Sequence, residues 1–459
     1  CEPEITNLSN STSSQAAFAR SPFRNLERAN PKQLRKRAWW LLLLSFLVPG
    51  SAQLLAGNRK FARIVLVATI GFWALVLLLG ILVLPFDGQL LAAVATQSWF
   101  MTALTIVLVT LTAMYALVAL DTLRLLQLGR LPSRDRWIVL IAMVAISGVV
   151  TSGFASAANL TASASGVLNT MFVQKGVYLP TDGRYNIMLL GADSGKDRFG
   201  IRPDSISVIS VDALTGHAVN IGIPRNLQKV QFVEGSPMRK IYPNGWRCGD
   251  TCLINAIYKD VTDNHADLYP NAVAQGSTPG IEATRDAVSW VTGLKIHSFV
   301  MIDMAAFANL VDALGGVKID VKERLPIGGK REDLSDVKGW IEPGLQQMDG
   351  YTALWYARSR HTTNDYDRMR RQREVEDAIL DQVGPVNLAL HFSQVAVAGE
   401  KLIKTDVPSD MIGTYFNLAR KARAQGIDKL ELVPPAIDPA YPNFKSIRAM
   451  IQKSLKAQG

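Results

Sequence analysis

Cysteine is scarce: the 459 residues contain three, together with only five histidines. Cys248 and Cys252 stand four apart in Trp-Arg-Cys-Gly-Asp-Thr-Cys, and no second His/Cys pair accompanies them. The ligand spacing of a structural zinc site is therefore incomplete. If this region lies outside the cytoplasm, the pair reads as a short-loop disulfide, with a zinc pair as the alternative. Cys1 could mimic a lipidated residue and is left unassigned. The chain also lacks a Walker loop, an HExxH pattern and a Ser/His/Asp array, so nothing supports nucleotide hydrolysis, zinc-dependent proteolysis or a serine nucleophile. No internal repeat or long low-complexity tract is visible.

Acidic residues are outnumbered, 39 against 49 lysines and arginines, a net charge of +10. Such a surplus suits nucleic acid, an anionic membrane surface or a phosphorylated substrate. There is no zinc-ligand spacing, basic helical run with heptads or interleaved aromatic platform, so no nucleic-acid partner is expected.

What the chain has in abundance is apolar sequence, 48% of the residues, concentrated in the first third. Residues 1–37 are polar and basic and read as a disordered cytoplasmic tail. A membrane region follows over 38–158, with apolar stretches at 38–56, 62–85, 98–121 and 137–158; the last three reach the roughly 20 residues that a spanning helix needs. Arg35, Lys36 and Arg37 precede the first stretch, and Arg59, Lys60 and Arg63 follow it. The 86–97 loop has no lysine or arginine, whereas 122–136 carries Arg124, Arg130, Arg134 and Arg136. The positive-inside rule places 86–97 outside and the other three segments inside. Pro49-Gly50 interrupts the first stretch, as a re-entrant or interfacial hairpin requires. Three spans with this hairpin put the C-terminal part outside the cytoplasm; four full spans are the alternative. Residues 159–180 read as a linker and 181–459 as the extracytoplasmic domain.

In that domain Tyr185–Leu190, Ser205–Val211 and Ala218–Ile223 read as strands. Asp303 can cap a helix that ends at Gly315-Gly316, followed by a strand over Val317–Val321. Helices are expected over 349–357, 365–382, 386–403, 409–424 and 444–457, and a strand over Lys429–Val433. The alternation argues for an α/β layered domain.

Charged residues gather in two segments. The first holds Asp193, Arg202, Asp204 and Arg225 at strand ends, where open sheets place ligands. Two carboxylates there can share a hard cation such as Mg²⁺ (or Mn²⁺), and arginine forks suit phosphate oxygens. The second segment holds Arg358, Arg360 and His361, then Asp365, Asp367, Arg368, Arg370, Arg371 and Gln372. Asp365 can cap the helix, and Arg368, Arg371 and Gln372 share one side of it, with Arg370 turned away. His361 is weighed as a base and set aside as a loop contact. Such a density of like charge repels unless an anion neutralises it. Phosphoryl or pyrophosphate chemistry outside a membrane is the inference.

"YNIMLLGADSGKDRFGIRPDSISVISVDALTGHAVNIGIPRN" and "MDGYTALWYARSRHTTNDYDRMRRQREV" resemble the two signature blocks of the LytR–CpsA–Psr family, with "INAIY" at 254–258 and "FANLVDALGGVKIDV" at 307–321 extending the resemblance over about 180–385. The resemblance implies a three-layer α-β-α fold with a lipid held in an apolar groove. It also implies transfer of a glycopolymer from a polyprenyl-pyrophosphate carrier onto a peptidoglycan hydroxyl, with teichoic acid, capsular polysaccharide or arabinogalactan as cargo and a possible pyrophosphatase side activity. The multi-span anchor and "GWRCGDTC" resemble actinobacterial members and favour a decaprenyl carrier. Residue by residue, Asp193 and Asp204 match the metal-holding aspartates. Arg202, Arg225, Arg358, Arg360 and Gln372 match pyrophosphate contacts, and Asp365, Arg368 and Arg371 match the motif residues beside them. As a mechanism, Arg202 and Arg225 are expected to act in catalysis by neutralising charge on the leaving group, with Asp365 or Asp367 accepting the proton of the attacking hydroxyl. Two positions depart: Asn226 stands for an aspartate, and Leu253 for a lysine that Arg239, Lys240 or Arg247 would have to replace. A polyprenyl-pyrophosphate hydrolase and a non-enzymatic lipid-binding regulator or scaffold are the competing readings.

Overall fold

The computed structural model describes residues 30–56, 59–83, 98–171, 176–193, 202–330, 333–359, 364–382 and 403–456. The chain divides into two compact units, one formed by 1–91 with 99–162, the other by 92–98 with 163–459.

The first unit is helical, with α1 (Pro31–Leu47), α2 (Ser51–Ala56), α3 (Arg59–Val83), α4 (Ser98–Leu126) and the start of α5 (Ser133–Met171). Arg59–Leu78, Trp99–Arg130 and Ser133–Ser163 are long and apolar enough to cross a membrane. The expected stretch over 38–56 is broken between α1 and α2. Pro49 cannot continue the helical ladder, and Gly50 takes φ 93° against α3, where a Cβ would lie 3.0 Å from the Ala62 carbonyl oxygen. Helix α1 also starts before residue 38, because Asn30 and Gln33 cap its first turn reciprocally. Residues 31–37 are thus helical; 1–29 lie outside the described residues. Leu41, Ala52, Ala119, Val139 and Met143 pack together. Beside them the Gln53 amide donates to Thr122 Oγ1 (2.9 Å) and the Val118 carbonyl (3.3 Å). The expected linker over 159–180 is helical as far as Met171, since no proline interrupts it.

In the second unit β1 (Arg184–Asp193), β2 (Arg202–Asp212) and β3 (Ala218–Ile223) form an antiparallel meander. Three helices follow, α6 (Met238–Ile241), α7 (Ala256–Asn264) and α8 (Pro279–Thr292), before β4 (Ser298–Asp303) pairs parallel with β1. Next come α9 (Met304–Ala313), β5 (Val317–Val321), β6 (Leu325–Lys330), β7 (Asp333–Ile341), β8 (Gly344–Met348), α10 (Gly350–Arg358) and α11 (Asp365–Gln382). The chain closes with β9 (Ile403–Thr405), α12 (Ile412–Gln425), β10 (Ile427–Glu431) and α13 (Phe444–Lys456). The main sheet has the order β10-β3-β2-β1-β4-β9, and β5–β8 and β6–β7 are separate two-stranded pairs.

Alternation along the strands divides the sheet's two faces. Met188, Leu190, Val208, Val219 and Ile221 bury one face against α8 and α13. Tyr185, Val211 and Ala218 pack on Leu418 and Ala422 of α12, and Asn220 reaches Glu376 of α11 (2.8 Å). Helices thus cover both sides of a mixed sheet, the α/β architecture expected from the sequence. Strand β10 lies two residues earlier than Lys429–Val433, and it pairs with β3 where Gly222 leaves room for Glu431; a Cβ on Gly222 would meet Oε2 at 2.1 Å. The helix expected over 386–403 lies outside the described residues except Ile403, which opens β9. Strand β4 escaped the sequence reading: it is paired on both sides, by β1 and β9, and its apolar run Phe299–Ile302 shows no alternation.

Gly350 donates its N–H to Asp312 Oδ1 (2.7 Å), and a Cβ there would lie 1.9 Å from the Ala308 carbonyl oxygen. Gly350→Ala would stabilise a free helix, yet here it is expected to lower the unfolding midpoint of the detergent-solubilised chain, with a loss of roughly 1–3 kcal/mol from overpacking.

Candidate functional site

The ends of β1, β3 and β4 and the start of β2 meet at one end of the sheet. The β1–β2 register shifts between Gly191 and Ala192, whose partners are Ser205 and Pro203, so Asp204 is the extra residue of a bulge. Bulges re-aim side chains beside functional sites. Gly191 permits this one, since a Cβ there would stand 3.0 Å from the Ser205 Cβ. Asp193 and Arg202 are cross-strand partners at the mouth. Arg202 is exposed, and the Asp193 side chain lies outside the described residues.

Four charged groups interlock here. Arg225, just past β3, places Nη1 2.6 Å from Asp204 Oδ1 and Nε 3.3 Å from Asp365 Oδ2. Arg368 reaches the same two aspartates, with Nη2 3.1 Å from Asp365 Oδ1 and Nη1 4.0 Å from Asp204 Oδ2. Burial disfavours the charged form of Arg225, but Asp204 and Asp365 outweigh it and raise the guanidinium's pKa above the usual arginine value. Asp365 is therefore not the helix cap expected from the sequence. Asn364 Oδ1 accepts the N–H groups of Tyr366 and Asp367 (2.8 and 2.9 Å), and Asp367 Oδ2 accepts the Asn364 N–H in return (3.3 Å). This cap frees Asp365 for the arginines and commits Asp367 to the helix end.

Arg371 turns away from the anion side. It is 1% exposed, and its donors go to the Tyr356 carbonyl (3.0 Å), the Ser359 carbonyl and Glu323 (3.4 Å). Burial lowers its pKa. Arg370 pairs with Glu374 at 2.8 Å, as expected of a surface arginine. Arg360 and His361 lie outside the described residues. At Leu253 only the carbonyl has a polar role, accepting Trp246 Nε1 (3.0 Å), while Arg239 is drawn to the Phe232 carbonyl (2.9 Å). Cys248 and Cys252 are disulfide-bonded, with Cα atoms 5.2 Å apart.

Beneath the charged mouth is a cavity of about 390 Å³. Asp204, Arg358, Arg368 and Gln372 line its polar part, and Leu189, Val300, Ile302, Phe307, Leu354 and Ile379 its apolar part. The Arg358 guanidinium lies 5.4 Å from the centre of the Trp355 ring. Gln372 Oε1 is buried with no hydrogen-bond partner among the described residues, which marks a place for a donor from a ligand. Arg373 and Glu376 were missed by the sequence reading. Buried Arg373 donates to Ser205 Oγ (3.2 Å) and pairs with Glu376, which lines the cavity, and with Glu431 (3.5 Å). The three-residue spacing of Arg373 and Glu376 was visible; Glu431, 55 positions beyond Glu376, was not linked to them by any local pattern.

Carboxylate oxygens at Asp193 and Asp204 suit a hard divalent cation. Among the described residues no three His, Cys, Asp or Glu side chains converge on a metal position. A cation here would draw its remaining oxygens from water or phosphate, the arrangement Mg²⁺ favours.

Arg371→Gln is expected to cost at least about 2 kcal/mol of stability, since buried carbonyls lose a charged donor. The check is a thermal unfolding midpoint that falls well below that of Arg225→Gln.

The profile of the LytR_cpsA_psr family matches residues 151–448. Polyisoprenyl-teichoic acid–peptidoglycan teichoic acid transferase TagU of Oceanobacillus iheyensis is 27% identical over 246 residues, 52% of this chain and 63% of that protein. Cell wall biosynthesis protein LcpA of Corynebacterium glutamicum is 26% identical over 275 residues, 53% of this chain and 48% of that protein. The chain thus spans less than two thirds of either relative. The crystal structure of B. subtilis TagV superposes with a TM-score of 0.42 at 21% identity, covering 60% of this chain and 98% of that one. The family profile covers more than half of the chain, including both charged segments and the cavity between them, and this protein belongs to the LytR_cpsA_psr family.

Proposed function

We propose that the protein is a membrane-anchored phosphotransferase that moves a glycopolymer from a polyprenyl-pyrophosphate carrier onto a peptidoglycan hydroxyl, outside the cytoplasm. The observation that carries this reading is an apolar cavity whose mouth holds Arg225, Arg368 and Arg358, with Gln372 Oε1 unpartnered among the described residues. A lipid tail needs the first feature and a pyrophosphate needs the second. The family's named teichoic acid transferases support the polymer class.

The acceptor oxygen forms a bond to the phosphorus that bears the sugar, and the bond from that phosphorus to the bridging oxygen breaks. Polyprenyl phosphate leaves with the electron pair. Arg225 and Arg368 stand where charge grows on that leaving group, and preorganised donors of this kind stabilise the transition state most. As found, their two positive charges are matched by Asp204 and Asp365, so a polyanion enters a locally neutral site. A Mg²⁺ or Mn²⁺ ion held by Asp193 and Asp204 would supply positive charge to the phosphate oxygens. Of the two carboxylates considered as proton acceptor, Asp365 adjoins the arginines, whereas Asp367 serves the helix cap; Asp365 is therefore assigned the acceptor's proton.

Arg225→Ala should lower transfer by at least ~10²-fold, as loss of a single transition-state donor does elsewhere. The assay follows polymer phosphodiester on peptidoglycan by product analysis, with free phosphorylated glycan reporting hydrolysis instead; full transfer by the variant would sink the assignment. Chelation of divalent ions should suppress turnover while lipid pyrophosphate stays bound, read by mass spectrometry of the copurified lipid. Protease added to intact spheroplasts should remove 181–459; survival of that segment would place it in the cytoplasm.

A further inference from the structure

Four residues beyond Arg225 the backbone does something unfavourable. Lys229 adopts φ 58°, a left-handed conformation that suits glycine or asparagine and is uncommon for a lysine. Lys229 Nζ stands 3.6 Å from the centre of the Tyr441 ring. Tyr441 is 75% exposed, in a domain where most large apolar groups are buried. Its position is nonetheless well determined. Asp438 Oδ1 accepts the N–H groups of Ala440 (2.9 Å) and Tyr441 (3.3 Å), and the Gln228 N–H donates to the Pro439 carbonyl (2.9 Å). The Gln228 side-chain amide donates to Asp250 Oδ1 at 3.3 Å on the exposed surface.

An aromatic ring exposed to water, with an ammonium over one face, offers its other face to a pyranose. The axial C–H groups of a sugar pack on a ring face, and its hydroxyls pair with the polar rim. Two loops tied together by hydrogen bonds present the ring to solvent. The placement also suits the chemistry. Lys229 stands four residues, at most about 14 Å of chain, beyond Arg225, and the ring lies past the end of its side chain.

We propose that Tyr441, with Lys229 over one face of its ring and the other open to solvent, is a saccharide-stacking subsite for a glycan substrate of the transfer. This rests on the phosphotransferase reading above. The sugar can belong to the polymer on the donor or to the acceptor strand, and kinetics separate the two.

The test uses the full chain in nanodiscs with a polyprenyl-pyrophosphate-linked glycan and a soluble glycan acceptor, comparing wild type with Tyr441→Ala, Tyr441→Phe and Lys229→Gln. Tyr441→Ala should raise KM for one glycan substrate roughly three- to tenfold, the worth of one aromatic stacking contact, with kcat little changed. Tyr441→Phe should retain the wild-type KM, because the ring face and not the hydroxyl makes the contact. Lys229→Gln should shift KM in the same direction as Tyr441→Ala. A rise for the donor assigns the subsite to the polymer, and a rise for the acceptor assigns it to peptidoglycan. Unchanged KM for both substrates overturns the proposal and leaves the phosphotransferase reading standing. If the wild type shows no turnover, saturation-transfer NMR with an N-acetylhexosamine tetrasaccharide decides. Binding lost in Tyr441→Ala and kept in Tyr441→Phe supports the subsite, and equal signals in all variants, or none, overturn it.

Discussion

Two guanidinium groups and two carboxylates, Arg225 and Arg368 with Asp204 and Asp365, hold one another at the end of the sheet. No two of them are neighbours in the fold by accident. Asp204 is expelled from a strand ladder by a bulge, Arg225 follows the next strand, and the two others open a helix about 140 residues later. Each charge is partly withdrawn from water, and that desolvation is tolerated only while the opposite charges stay in place. The interlock therefore docks the first turn of α11 onto the sheet and sets the mouth of the cavity. An anion that bound these arginines would have to take the place of the carboxylates as their partner.

Helix α11 shows how a dense run of like charge becomes tolerable. Arg368, Arg370, Arg371 and Arg373 lie within six residues, and at about 100° per residue they leave the helix in different directions. Arg368 enters the ionic interlock. Arg370 meets Glu374 near the surface, Arg371 fills with charged donors the carbonyls at the end of α10, and Arg373 goes down to Glu376 and Glu431 against the sheet. One arginine thus serves the mouth, while two buried ones join α11 to α10 and to β10. The loss of any of them would disturb the site, but through different causes.

Much of this was legible. Spacing and strand-end position drew attention to Asp204, Arg225, Asp365, Arg368 and Gln372, and these meet at one mouth or on its cavity wall. The same reasoning put Arg371 with them, because residues three and four apart share a helical face; it could not know that the loop after α10 offers carbonyl groups to that face. Asp365 was read as a cap because any aspartate at a helix start can cap, and Asn364, one residue earlier, took that place. The helix break at Pro49-Gly50 was legible because proline and glycine act locally, and the close approach of Ala62 to Gly50 was not.

The amino-acid sequence by itself determined three helices long and apolar enough to cross a membrane, the strand and helix periods of the second unit, the two charged segments and the family they belong to. Those are properties of residues within a few positions of each other. Tertiary structure alone decided which arginine faces the cavity and which faces a buried carbonyl, that Glu431 lies under Arg373, and that Lys229 covers one face of Tyr441. Each of those pairings joins residues that are distant in the chain or on opposite sides of one helix, and only the packing of sheet against helix brings their charges and rings to within a few ångströms.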